Sequence, residues 1–94
     1  MATKPPIGAP YAPPPYKIED AGAIQALHRG DASPDQQQRA LKWIIEQACA
    51  TYDMSFSPDN PHWTSFAEGR RMAGNQVVKL LKLNLATLKK EQHG

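Results

Sequence analysis

Apolar residues in the last third of the chain recur at intervals of three and four, a pattern that predicts a long amphipathic helix. Asn60 is a suitable N-cap and Pro61 suits the first helical position, so the helix is predicted to run from Pro61 to about Lys90. Its apolar seam consists of Val78, Leu81, Leu85 and Leu88. Val77, Leu80 and Leu83 widen or leave this seam. One neighbouring helix cannot cover so wide a surface, which predicts contacts with a partner or with other copies of the chain.

A second long helix is predicted from the stretch "SPDQQQRALKWIIEQACATY". Ser33 is a good N-cap, Pro34 fits the first turn, and Gln36 completes a capping box. The apolar residues that then follow helical spacing are Leu41, Ile44, Ile45, Ala48 and Tyr52. Trp43 lies off this stripe, where it would either cover the edge of the core or anchor a partner.

The remaining helix is short, and it completes an all-α architecture. Residues 17–30 place apolar side chains near one helical face and end at Gly30, a residue typical of helix C-termini. The predicted fold is a small helical hairpin of two long helices plus this short one, occupying residues 17–94.

An extended arm is predicted for residues 1–16, because residues 5–16 hold six of the nine prolines. Proline fixes φ and removes a hydrogen-bond donor, so a polyproline-like arm would reach about 50 Å. The alternative for this composition is a disordered tail. If the arm binds a partner, the contacts would come from Ile7, Tyr11, Pro13, Pro14, Pro15 and Tyr16.

Size and composition favour dependence on other chains. The 94 residues include one cysteine, Cys49, so neither an internal disulfide nor a cysteine-rich zinc site is available to stabilise a small core. No apolar run is long enough to span a membrane, and the N-terminus lacks a signal-peptide core, so synthesis in a cytoplasm-like compartment is expected.

The sequence offers little for catalysis or cofactor binding. The histidines are far apart, at His28, His62 and His93, and Cys49 is interpreted as a small apolar side chain. Gly69 and Gly74 have phosphate-loop spacing, but Asn75 and Gln76 follow where Lys and Ser or Thr are needed. We therefore expect no enzyme activity, no catalytic or metal site, no cofactor and no small-molecule ligand.

The two glycines instead predict close helix packing. Within a helix each costs roughly 1 kcal/mol relative to alanine, which close approach of a neighbour can offset. Positions 69 and 74 do not share a face, so each would admit a different neighbour, or the helix would bend. Glu68 and Arg71 are spaced for an exposed ion pair. Arg71, Lys82 and Lys89 fall together on a helical wheel, either as a solvated face or as a basic edge that contacts nucleic-acid phosphates.

The stretch "HWTSFAEGRRMAGNQVVKLL" resembles a family of small tailed-bacteriophage proteins. The shared pattern is an upstream aromatic residue followed by Phe-x-Glu-Gly-Arg-Arg-x-x-Gly and an apolar helix. The matching positions are Trp63, Phe66, Glu68, Gly69, Arg70, Arg71 and Gly74. The likeness extends over roughly residues 35–82, including the helix with Trp43, and leaves out the arm and the lysine-rich end.

This resemblance implies a non-enzymatic, minor structural component of a virion, packed against a portal, head–tail or internal-core (ejection) protein. Its partners would be those proteins and copies of itself, reached through the arm, Trp43 and Leu83. The alternative function is a packaging or regulatory factor that binds the nucleic-acid backbone. That alternative depends on the uneven charge, since residues 61–94 carry six Lys or Arg against two Asp or Glu.

Overall fold

The computed structural model describes residues 9–93 of the chain, so Ile7 and half of the predicted arm lie outside the described residues. This part is helical and contains no strand, in agreement with the predicted all-α class. The helices are α1 (Ile18–Arg29), α2 (Pro34–Trp43), α3 (Pro61–Lys82) and α4 (Leu85–His93). A five-residue π-helical turn, Ile44–Ala48, continues α2.

Helices α1 and α2 form a tight hairpin around small side chains. Gly30 ends α1 in the left-handed conformation (φ 82°), and the Asp31 N–H donates to the Ala26 carbonyl as in a Schellman motif. The side chains buried along these helices are Ala23, Ala26 and Ala40. Because alanines allow the two backbones to approach closely, this hairpin is compact without large apolar residues.

A carboxylate on α1 connects the two helices. Asp20 accepts from the Lys17 N–H at 2.8 Å and from Arg39 Nε on α2 at 2.8 Å. The hydrogen bond from Lys17 and the interaction with Arg39 hold the pKa of Asp20 below its ordinary value, although partial burial acts in the opposite direction. The charged carboxylate therefore both caps α1 and positions α2.

The predicted start of α2 is confirmed, whereas its predicted end is wrong. Ser33 Oγ accepts from the Gln36 N–H at 3.2 Å, and Gln36 Oε1 accepts from the Ser33 N–H at 2.9 Å. At the other end the Cys49 N–H donates to the Ile44 carbonyl, five residues earlier. This wider turn ends the helix, and Tyr52, expected in the buried stripe, is 69% exposed.

The predicted single helix from Pro61 to Lys90 is interrupted after Lys82. Asn60 caps α3 as expected, through its side chain and the Trp63 N–H. Leu83 then adopts an extended conformation (ψ 144°), and Asn84 Oδ1 accepts from the Thr87 N–H to begin α4. The physical reason is that Asn favours the capping position over a helix interior. The apolar seam is consequently divided between α3 and α4.

The buried interior is small for 94 residues. Among the described residues, the buried hydrophobic side chains are Ala9, Ala23, Ala26, Ala40 and Ile45. The Cα radius of gyration is 16.7 Å, against about 12 Å for a compact domain of this length. The molecule is elongated because, among the helices of the described region, α3 packs only on the π-helical turn and α4 packs on none.

Candidate functional site

The Phe-x-Glu-Gly-Arg-Arg-x-x-Gly stretch lies on α3 where that helix meets the C-terminal end of the π-helical turn. Arg70 Nε donates to the Ala48 carbonyl at 3.0 Å, and Arg70 Nη2 donates to the Gln47 carbonyl at 3.0 Å. The last carbonyls of a helix lack partners within the helix and form its negative end, so a guanidinium is well suited to this position. Arg70 Nη1 also donates to the Pro10 carbonyl, which connects the arm to the same place.

Arg71 contacts the segment that follows the π-helical turn. Its Nε donates to the Thr51 carbonyl at 3.2 Å, and its Nη1 lies 2.7 Å from Glu68 Oε1. The predicted pair of Glu68 and Arg71 is therefore present. Ser55 Oγ also donates to Glu68. The hydrogen bonds from Ser55 and Arg71 lower the pKa of Glu68, against a smaller opposing effect of burial.

These contacts change the interpretation of Arg71 as a phosphate-binding residue. Its guanidinium is occupied by a carbonyl and a carboxylate of its own chain. Lys82 and Lys89 are exposed, but the break at Leu83 and Asn84 places them on separate helices. The uninterrupted helix on which the single basic edge was predicted is therefore absent from the described residues.

Gly74 and Gly69 have different surroundings. A Cβ on Gly74 would collide with Thr51 Oγ1 and would lie 2.9 Å from both Thr51 Cβ and Cys49 Cβ. At Gly69 nothing lies within 4 Å of the equivalent position. Close approach was predicted for both glycines; it is confirmed for Gly74 and wrong for Gly69. We name the contacts of Arg70, Arg71 and Gly74 with residues 47–51 the motif junction.

Thr51 is the residue of the motif junction whose side chain faces Gly74 of α3. Its hydroxyl donates to the Ile45 carbonyl at 2.7 Å, and the residue is 2% exposed. Helical periodicity gave no sign of this role, because Thr51 falls beyond the π-helical turn and the preceding Ala50 has a positive φ of 48°. The one available signal was Gly74 itself, which indicated that some backbone or small side chain approaches α3 at that point.

The described part of the arm packs on its own chain. Tyr11 forms edge-to-face contacts with Trp63 and Phe66, with ring centroids 6.3 Å apart in both pairs. We name these three residues the aromatic clamp. Trp43 Nε1 donates to the Pro15 carbonyl at 3.0 Å. Both tryptophans therefore hold the arm in place.

These contacts revise the predicted arm. A turn closed by the Ala12 N–H and the Ala9 carbonyl interrupts the extended conformation. Tyr11 packs in the aromatic clamp of its own chain and is 49% exposed, so its contact with a partner stays a prediction. Tyr16 is 70% exposed, Pro13 and Pro15 are exposed, and Pro14 is half-buried, so these positions stay candidates for partner contact.

Two further features are candidates for binding. The distal helix surface comprises the exposed leucines near the α3–α4 break and the lysines around them: Leu80, Leu81, Leu83, Leu85, Lys79, Lys82, Lys89 and Lys90. The hairpin groove, of about 310 Å³, is lined by Tyr16, Asp20, Ala21, Ile24, Gln25 and Trp43. Leu83, predicted as a partner contact, belongs to the distal helix surface.

Within residues 9–93, no group of three or more His, Cys, Asp and Glu side chains is arranged to hold a metal ion. In the same part of the chain, no helix combines the length and apolar character needed to cross a membrane.

Comparison of the chain with protein-family models, with curated proteins and with solved structures finds no match. The resemblance to tailed-phage proteins therefore stays a prediction from the sequence motif.

Proposed function

We propose that this chain is a non-enzymatic, minor structural protein of a tailed-phage virion. It acts as an oligomeric adaptor that docks on a portal, head–tail or internal-core protein. The phage assignment is supported by the resemblance of residues 63–74 to the family motif, and the adaptor role is supported by the surface of the molecule.

The main observation in support of the adaptor role is that many large hydrophobic side chains are exposed and few are buried. In the described region thirteen large hydrophobic residues are exposed, whereas the largest buried hydrophobic side chain is that of Ile45. Exposed apolar residues are ordinary when isolated, but clusters of them are typical of interaction sites. The exposed apolar residues follow one another most closely along the sequence in the distal helix surface and in the segment of Tyr52, Met54 and Phe56.

The motif contributes to this role by fixing the direction of α3. Arg70, Arg71 and Gly74 attach one part of α3 to the body of the molecule, and the helix extends about 12 Å beyond Gly74 before it ends. The exposed leucines are consequently held away from the hairpin. Such an arrangement presents an apolar helix end to another protein while the hairpin and arm contact a second one.

Quantitative peptide mass spectrometry on purified particles of the encoding phage, before and after triggered DNA release, tests the proposal. Stoichiometric presence in particles is the expected result. Retention after release would indicate a portal or head–tail partner, and loss would indicate an ejected core component. Absence from particles would contradict the virion role.

The nucleic-acid alternative retains one supporting observation. Lys79, Lys82, Lys89 and Lys90 are exposed. As a backbone-binding factor the chain would bind duplex DNA with an affinity that falls steeply with salt. A fluorescence-anisotropy titration at low salt checks this, and a flat titration would exclude the alternative.

A further inference from the structure

The described part of the arm is attached to the helices in the way that a bound peptide is. Within the described residues, no backbone–backbone hydrogen bond joins residues 9–16 to any helix. In that region the hydrogen bonds between arm and helices run from side chains to proline carbonyls, from Trp43 Nε1 to Pro15 and from Arg70 Nη1 to Pro10. Release of such a segment leaves the hydrogen bonds of every helix intact.

The surface that holds the arm has the chemistry of a site for a proline-rich segment. We name Trp43, Trp63, Phe66 and Arg70 the arm receptor. Its indole and guanidinium groups donate to the carbonyls of prolines, which have no N–H of their own. Its other two aromatic rings contact the ring of Tyr11 edge to face. Aromatic-lined surfaces are typical of sites that bind extended proline-rich peptides. The chain therefore carries both a receptor and its ligand.

The connection between the arm and α1 permits release of the arm. Residues 13–17 form neither helix nor turn, and Tyr16 is 70% exposed. The three prolines of this stretch contribute no N–H donors, so they lose no backbone hydrogen bond when the arm moves away. Proline also keeps a released segment extended at a low cost in conformational entropy. If extended, residues 9–16 would span about 25 Å, roughly twice the diameter of a helix, which is enough to reach an adjacent copy.

The balance between two positions of the arm depends on the distance between copies. An arm bound to a second copy makes the same contacts as an arm bound to its own chain, so the two states differ little in contact energy. Within one chain, the short linker gives the arm an effective concentration in the millimolar range. A second copy competes at this level when it is held alongside, whereas a dilute copy does not. Exchange of arms therefore requires copies that are close together.

We infer that the arm of one copy binds the arm receptor of a second copy when the copies are close together. A second copy is the occupant that the structure favours, because the fit of this segment to this receptor is displayed within one chain. Two chains that exchange arms reciprocally form a dimer, and around a ring each arm reaches the next copy. This exchange rests on the proposed adaptor function, since it supplies the contact between copies of the oligomer.

Nuclear magnetic resonance on the unaltered, full-length chain tests the exchange. Isotope-labelled and unlabelled copies are mixed in equal amounts at about 1 mM, a concentration at which arms of different copies compete. Isotope-filtered spectra should then show nuclear Overhauser effects from Tyr11 of one copy to Trp63 and Phe66 of the other. Analytical ultracentrifugation should show dimers in this sample and monomers after about hundredfold dilution.

Serine variants of the full-length chain provide a second measurement. Tyr11→Ser disables the arm and Phe66→Ser disables the receptor, so each variant alone should dimerise about tenfold more weakly. An equimolar mixture of the two should regain dimers, because it combines one intact arm with one intact receptor. Ile18→Ser and Met72→Ser change exposed apolar residues outside the arm and its receptor, and they should dimerise like the unaltered chain. Circular dichroism checks that each variant keeps its helical content.

The same measurements can overturn the exchange. A chain that stays monomeric at about 1 mM passes no arm to a second copy, even if it is found in particles. Dimers that lack the effects between Tyr11 and the receptor of the other copy, or that persist undiminished in both serine variants, form through a different surface. A mixture of those variants that dimerises no better than its components would also exclude exchange. The virion role is tested separately by particle composition, so failure of one proposal is distinguishable from failure of the other.

Discussion

The motif junction lies on α3, and the distal helix surface begins at the C-terminal end of the same helix and continues onto α4, but the two regions are organised in opposite ways. At the junction, two arginines and a glycine are matched to carbonyls and to Thr51 of their own chain. At the distal surface, leucines and lysines are exposed and contact no other helix of the described region. One part of α3 is therefore held by contacts within its own chain, and the C-terminal end is available to a partner.

Because of this difference, substitutions in the two regions should affect different properties of the protein. Changes at the motif junction should reduce the free energy of unfolding of the isolated chain. Changes at the distal helix surface should leave that free energy within about 0.5 kcal/mol, as is usual for exposed positions, and should alter association instead. The following predictions test the junction, from the largest expected effect to the smallest.

Gly74→Ala should produce the largest loss of stability. The added Cβ collides with Thr51, so the free energy of unfolding should fall by about 1–3 kcal/mol, as in other overpacked sites, despite the better helix propensity of alanine. Urea unfolding followed by circular dichroism measures the change.

Gly69→Ala is the matched control for this pair of glycines. With nothing within 4 Å of its Cβ, it should raise the free energy of unfolding by about 0.5–1 kcal/mol. Equal stabilisation by both substitutions would show that α3 does not approach Thr51 closely.

Arg70→Gln should lower the free energy of unfolding by about 1–2 kcal/mol, because the guanidinium is only half-buried. The substitution removes charge-assisted hydrogen bonds to the carbonyls of Gln47, Ala48 and Pro10. Thermal and urea unfolding measure this loss. Lys79→Gln removes the same charge from an exposed part of α3, and it should change stability by less than about 0.5 kcal/mol. Similar effects of the two substitutions would mean that Arg70 acts through overall charge and not through its carbonyl partners.

Tyr11→Ala should have a smaller effect, near 1 kcal/mol. The residue is half-exposed, and its edge-to-face contacts with Trp63 and Phe66 are each of a kind that contributes about 0.5–1.5 kcal/mol beyond area burial. A double-mutant cycle with Trp63→Ala measures the coupling directly. Zero coupling in that cycle would indicate that the arm does not pack on its own chain in solution.

Local sequence signals such as N-cap residues predicted where the helices begin better than they predicted where the helices end or which segments pack against them. The Ser33 and Asn60 caps are short-range hydrogen bonds, so the residue types alone identified them. The π-helical turn could not be predicted from apolar spacing, because it depends on a change of hydrogen-bond register after Trp43. Asn84 could have indicated the interruption of the final helix, but the prediction relied on the continuous apolar seam alone.

For the candidate site too, the sequence identified residues but not the contacts that they make. The motif residues were singled out from sequence, but their partners, Thr51 and the carbonyls of Gln47 and Ala48, are set by packing between distant segments. Backbone carbonyls exist at every residue, so no sequence pattern indicates which of them an arginine will bind. The glycines gave only a partial signal, because the lack of a side chain permits close approach at both positions and a neighbour is present only at Gly74.

Acidification should produce the smallest effect, because the groups concerned are partly exposed and screened by solvent. The pKa of Glu68 lies below its ordinary value of 4.5 in the folded chain, chiefly through Ser55 and Arg71. Its charged form therefore contributes stability above about pH 4.5, and this contribution is lost as the pH falls through the folded-state pKa. Urea midpoints measured between pH 7 and pH 3 should decline in the unaltered chain and decline less in Glu68→Gln. The remaining decline should include Asp20, whose pKa is also lowered, by the Lys17 N–H and Arg39. An identical decline in both chains would show that Ser55 and Arg71 do not hold Glu68 in solution.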